Sequence, residues 1–165
     1  MIQPIWGQKY ARDLAAVYNS ANTLFPEEQR CDADETVFYR QLQEDRNFAY
    51  FRENTICGFM SWRKSAEYAE LTSLYVRREY QKTGVGGLLL AHFEEQAAGS
   101  SCLIVKVLRQ AHWALAFYEK HGYQPLTAET RRLMESRGIT EKGWEKILCR
   151  TFAYPEKSPS GPSLP

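Results

Sequence analysis

Between residues 77 and 95 the chain reads RREYQKTGVGGLLLAHFEE, placing Gly84, Gly86 and Gly87 between a polar run and an apolar stretch of helical period. Glycine weakens a helix interior, so a cluster at a helix start implies that something approaches the backbone closely. Spacing excludes two phosphate-cradling patterns. A P-loop needs Lys-Ser or Lys-Thr after its second glycine, and none follows here. A Rossmann fingerprint counted from Gly84 needs glycine or alanine where Leu89 stands. What remains is Gln81, Lys82, Thr83, Gly84, Val85, Gly86 and Gly87, a loop whose successive amides face one spot ahead of a helix. Such amides, with roughly half a positive charge from the helix dipole, form a pyrophosphate site, and Lys82 adds mobile charge. Read alone, the same glycines serve equally well as a tight turn with close helix packing.

The elements that must position this loop follow from the period of the apolar residues. IQPI reads as a short strand, and Tyr10, Leu14, Val17, Tyr18 and Ala21 mark a first helix. Asp34 can cap a second helix whose face carries Val37, Phe38 and Leu42. NFAYFRENTICGFMSWRK reads as two strands joined at residues 52–54, and AELTSLYV is a third that feeds the glycine loop. A helix with Val85, Leu88, Leu89 and Phe93 follows, then CLIVKVL, an apolar run expected of a strand covered on both faces. AHWALAFYEKHGYQP reads as a helix capped near Gly122, and EKILCRTF as a last strand. Residues 127–143 are too long for a simple connection and are read as an inserted helix and loop. The predicted order is β-α-α-β-β-β-α-β-α-β, an α/β fold with a mixed sheet and helices on both faces. Residues 1–153 form one domain, and the proline- and serine-rich residues 154–165 are expected to be disordered.

Composition narrows the partners. The 165 residues carry 21 basic and 20 acidic side chains, interspersed, for a formal net charge of +1. A nucleic-acid or membrane-surface protein would show a basic excess or stripe, so neither partner is expected, and a small ligand is. Cys31, Cys57, Cys102 and Cys149 form no C-x-x-C pair, so neither a metal nor a disulfide framework is expected. The chain start has no basic segment followed by an apolar one, and no window approaches a membrane span, which makes a cytoplasmic location the expectation.

The pattern Gln81-x-x-Gly84-x-Gly86 after a strand ending LYV, with ALAFYEKHGYQP downstream, resembles the GNAT superfamily of acyl-CoA-dependent N-acetyltransferases. The resemblance covers about residues 1–153. It implies an acetyl group passed from acetyl-CoA to a primary amine of a small molecule or protein, with a homodimer a common state. It also implies that the backbone of Leu74, Tyr75 and Val76 binds the pantetheine arm like an added strand, while the amides from Lys82 to Gly87 hold the pyrophosphate. An extended amide-bearing arm suits an open strand edge, and an anion suits a helix N-terminus.

The resemblance further implies that Tyr118 contacts the cofactor and protonates the departing thiolate. A phenol of pKa about 10 suits a thiol of about 8.5. Glu70 stands where several members carry a catalytic glutamate, and the Leu74 amide is the implied oxyanion donor. One departure concerns Ala111, seven residues before Tyr118, where many members have an asparagine that contacts the CoA arm. A non-catalytic acyl-CoA sensor is the alternative that this departure keeps open. His112 and His92 are expected as a helix-start polar residue and a satisfied core residue. The acceptor is expected over the first two helices and the insertion, where Glu27, Glu28, Asp32, Asp34 and Glu35 form an acidic cluster and Tyr39, Tyr80 and Trp144 are candidate pocket walls.

Overall fold

The computed structural model describes residues 1–65 and 67–151; the predicted disordered tail lies outside them. Seven strands form one sheet: β1 (Ile2–Ile5), β2 (Arg46–Arg52), β3 (Thr55–Lys64), β4 (Tyr68–Val76), β5 (Cys102–Leu108), β6 (Gln124–Pro125) and β7 (Glu145–Thr151). Five α-helices connect them: α1 (Ala11–Asn22), α2 (Tyr39–Glu44), α3 (Val85–Gln96), α4 (His112–Lys120) and α5 (Ala128–Ser136). The spatial order is β1-β2-β3-β4-β5-β7-β6. Every neighbouring pair is antiparallel except β4 and β5, which run parallel and are joined through α3.

Each face of the sheet has its own core. On one side α3 and α4 bury Leu89, Phe93 and Tyr118 against Trp62, Leu103 and Val105. On the other, α1, α2 and the turn that precedes α2 bury Leu14, Val17, Phe38 and Leu42 against Ala49 and Phe59. Beyond them on that same side α5 covers Ile104 and Ile147 with Met134, between the buried thiols of Cys102 and Cys149. Each large apolar side chain so enclosed contributes about 1.5–3 kcal/mol relative to exposure. All four cysteines are free, and Cys31 is exposed.

Local chemistry sets the boundaries. Asp34 accepts from the Thr36 amide at 2.8 Å and starts the turn that leads into α2. Thr127 and Thr130 cap α5 reciprocally, and Gly122, at a φ of 86°, ends α4. The expected elements are present, with one addition. Strand β6 spans only two residues, too few to show a period, and it exists because β7 offers it an edge. Leu88, expected on the buried face of α3, is 52% exposed, since the helix turns Val85, Leu89, Leu90 and Phe93 inward.

A single extra residue shapes the centre of the sheet. Ser61 pairs with Ser73 but Trp62 pairs with Leu71, which leaves Thr72 as a bulge in β4. Pairing between β4 and β5 runs from Tyr68↔Cys102 to Leu71↔Val105 and stops there. The two strands therefore separate where the bulge bends β4, and the backbone from Thr72 to Val76 faces an open slot in place of a neighbouring strand.

Candidate functional site

The slot leads to the glycine loop. Lys82 adopts a φ of 60° and Gly84 a φ of 94°, both left-handed, so the chain turns sharply into α3. No side chain caps α3, and its first backbone bond runs from the Leu88 amide to the Gly84 carbonyl at 3.0 Å. The amides of Val85, Gly86 and Gly87 thus have no intrahelical partner and point out of the helix end. A methyl group at Gly86 would meet the Phe117 ring at 3.5 Å and one at Gly87 would meet His121 Nε2 at 3.5 Å. Those are ordinary contacts, so crowding by the protein does not require glycine at either place. Gln81 and Thr83 turn their side chains inward, to the Val76 and Tyr80 carbonyls, and hold the shape of the loop.

Tyr118 lies on α4, 6% exposed, with its ring edge-on to Phe117 and Tyr123. Burial, and then the neighbouring Tyr75 phenol, push its pKa above the ordinary tyrosine value. Tyr75 is itself raised to about 12, by burial first and Tyr18 second. The phenols of Tyr118 and Tyr75 come from opposite sides of the sheet, Tyr118 with α3 and α4 and Tyr75 with α1. Both are protonated at neutral pH. Ala111 is buried at the start of α4 and offers no polar side chain, whereas Gln110 and His112 flank it in solvent. His92 departs from expectation, because its buried Nε2 has no hydrogen-bond partner among the described residues and its ring meets Phe48 edge-on.

Glu70 precedes the bulge on β4 and pairs with Lys106 of β5 at 3.3 Å. It lines neither of two cavities on the α1 and α2 side of the sheet. One cavity, ≈ 350 Å³, contains Asp45, whose side chain is 1% exposed. Thr72 donates to its Oδ2 at 2.6 Å, and Arg63 donates to the same oxygen at 3.3 Å while lying 3.0 Å from Oδ1. The other, ≈ 280 Å³, is walled by Tyr18, Phe38 and Tyr75 and reaches Ser73. Sequence reasoning placed Tyr39, Tyr80 and Trp144 here, and none of them lines either cavity. Of the acidic cluster only Asp32 does; Asp34 is spent on its cap and Glu35 accepts from the Tyr39 hydroxyl. Ser73, Gln41 and Tyr18 were missed. Tyr18 carries a helical period that reads as core, and the two polar residues come together only through the fold.

The model of the acetyltransferase (GNAT) family matches residues 14–123, more than half of the chain. The chain belongs to the GNAT acetyltransferase family. A relative named "uncharacterized N-acetyltransferase YjcF", from Bacillus subtilis strain 168, is 30% identical over 106 residues, which cover 63% of this GNAT chain and 73% of that protein. Among solved structures, an acetyltransferase from Thermus thermophilus superposes with a TM-score of 0.73 at 20% identity, covering 92% of this chain and 96% of that one. The PaiA N-acetyltransferase of Thermoplasma acidophilum, solved in complex with coenzyme A, gives 0.71 at 19% identity over 92% and 99%. At these identities the structural likeness speaks for the GNAT fold. Among the described residues, no helix is long and apolar enough to cross a membrane.

Proposed function

We propose that this protein is an acetyl-CoA-dependent N-acetyltransferase that acts on a primary amine. The observation that carries the reading is one alignment. The edge of β4 that β5 leaves unpaired after Leu71 runs toward the uncapped start of α3. An extended pantetheine arm would bond to the backbone of Leu74, Tyr75 and Val76, and the pyrophosphate would meet the amides between Lys82 and Gly87. The freedom for a side chain at Gly86 and Gly87 supports this, since close approach by a ligand then explains why glycine stands there.

In the reaction the amine lone pair forms a C–N bond at the thioester carbonyl, and the C–S bond breaks. Tyr118 gives its phenolic proton to the departing thiolate, and its raised pKa keeps that proton in place at neutral pH. The proton lost by the amine passes to Glu70, through water, since Glu70 stands apart from the cavities. The Leu74 amide is assigned to the oxyanion.

Thermal unfolding with and without acetyl-CoA, with ATP and NAD as controls, tests the cofactor. A ligand at 100 times its dissociation constant adds about 2.7 kcal/mol, a shift of several degrees. Stabilisation by acetyl-CoA alone is expected; equal stabilisation by ATP would reduce the loop to a generic anion site. Thiol release from acetyl-CoA on adding amines then separates an enzyme from a sensor.

A further inference from the structure

A chain of hydrogen bonds runs beneath the ≈ 280 Å³ cavity, and its direction is fixed from one end. Asn47 Nδ2 donates to the backbone carbonyls of Asp45 at 2.7 Å and Gln41 at 3.2 Å. Carbonyl oxygens only accept, so the amide of Asn47 has a single workable orientation, and its Oδ1 must accept. Ser61 Oγ therefore donates to Asn47 Oδ1 at 2.6 Å and accepts from Gln41 Nε2 at 2.7 Å. That leaves Gln41 Oε1 to accept from Ser73 Oγ at 2.8 Å. Reversing any member would set two lone pairs against each other in a buried place, at the cost of an unsatisfied polar group.

The consequence falls on Ser73, which lines the cavity. A hydroxyl has one proton and two lone pairs. Its proton is committed to Gln41, so Ser73 Oγ shows the cavity lone pairs only and receives a donor there. Ser73 and Tyr75 flank Leu74 on the open stretch of β4, which puts this polar spot beside the slot. The remaining walls are largely apolar: Tyr18, Phe38 and Tyr75 form an edge-to-face set, Tyr18 lying 5.9 Å from Phe38 and 4.9 Å from Tyr75. At ≈ 280 Å³ the space is at the small end of ligand pockets. Asp32 is exposed at the rim and complements an approaching ammonium group.

We infer that this cavity is the acceptor site and that it takes a small primary amine with a compact apolar body, whose N–H is received by Ser73 Oγ. The inference rests on the acetyl-CoA-dependent reading and narrows its acceptor. Asp32 is the one carboxylate among the lining residues, which favours an amine with a single charge over a long polyamine, and the small volume favours a small molecule over a folded protein surface.

The test measures acetyl-CoA binding and thiol release on the same full-length protein, with 2-phenylethylamine, spermidine and an alanine-terminated hexapeptide as acceptors. Expected is a kcat/KM for 2-phenylethylamine at least tenfold above the other two. Ser73→Ala is expected to raise the KM for 2-phenylethylamine about tenfold at unchanged acetyl-CoA KM, and Ser73→Thr, which keeps the hydroxyl, to restore it. Should Ser73→Ala fail to fold, Ala33→Leu fills the same cavity from a half-buried wall position and is expected to raise the amine KM alone. Acetyl-CoA binding with turnover favouring spermidine or the peptide overturns the acceptor class and leaves the cofactor reading intact. An amine KM unmoved by both Ser73→Ala and Ala33→Leu overturns the site. Absence of acetyl-CoA binding overturns the functional reading and this inference with it.

Discussion

On the proposed reading, the two sides of β4 recognise their ligands by different means. Toward α3 and α4 the binding groups are backbone amides, arranged by a strand that ends its pairing early and by a helix start without a cap. Toward α1 and α2 they are side chains, a directed chain of Asn47, Ser61, Gln41 and Ser73 beneath aromatic walls. Backbone recognition tolerates almost any side chain outside the glycines, which suits a cofactor shared across a family. Side-chain recognition is rewritten by single substitutions and suits an acceptor that differs from member to member. The contrast teaches where this protein keeps its individuality.

Four perturbations sharpen or break that contrast. Tyr118→Phe removes the proposed acid and leaves the slot, so steady-state assays should show kcat lower by about 10²–10⁴ with the acetyl-CoA thermal shift retained. Undiminished turnover would remove Tyr118 from the chemistry. Next in size is alkaline destabilisation. The Tyr75 pKa is raised from 10.0 to about 12, so the folded chain keeps a proton that the unfolded chain releases. Its contribution is complete below pH 10, is lost as pH rises to about 12, and amounts to on the order of 2 kcal/mol. Urea titrations at pH 9 and pH 11 should show the loss, and Tyr75→Phe should reduce it while leaving the parts due to Tyr118 and Tyr123.

Gly84→Val forces a β-branched residue into a left-handed backbone, at a cost of about 1–2 kcal/mol. Calorimetric titration should show weaker acetyl-CoA binding, while the amine KM stays in place if the two faces are independent. The smallest effect is expected of Lys106→Met. Lys106 is 37% exposed and Glu70 is 17% exposed, so solvent screens their pair and its loss should move the urea midpoint by about 0–1 kcal/mol. A large fall in kcat from that change would show that Lys106 tunes Glu70 for proton transfer.

The same contrast explains what the sequence disclosed. The loop and slot of the proposed cofactor side were legible because their requirements are local: glycines at fixed offsets, a strand before them, and a Phe-Tyr-Glu run on the helix that packs alongside. Helix and strand periods located nearly every element, and Asp34 announced its own cap. The acceptor side was not legible, because Gln41 and Ser73 lie 32 positions apart and acquire meaning only as partners. Of the acidic cluster, Asp34 caps its turn, Glu35 accepts from the Tyr39 hydroxyl, and Asp32 alone lines the cavity. Gly58 gave no local sign either, although a side chain there would meet the Tyr75 carbonyl at 3.0 Å where β3 passes β4.

The bulge at Thr72 is a matter of parity. Side chains along a strand alternate between two faces, and one supernumerary residue reverses that count for everything downstream. If Thr72 were paired in regular register instead of bulging, Leu74 would exchange faces with its neighbours, and Ser73 and Tyr75 would look toward α3 and α4. The assignment of cofactor to one side and acceptor to the other therefore hangs on the bulge, which absorbs one of the four residues between Leu71 and Val76 and keeps those two side chains on one face. Deleting Thr72 would straighten the strand and leave Ser73 and Tyr75 on the face they occupy now, whereas inserting a residue that pairs in register would invert the reading frame for the ligands.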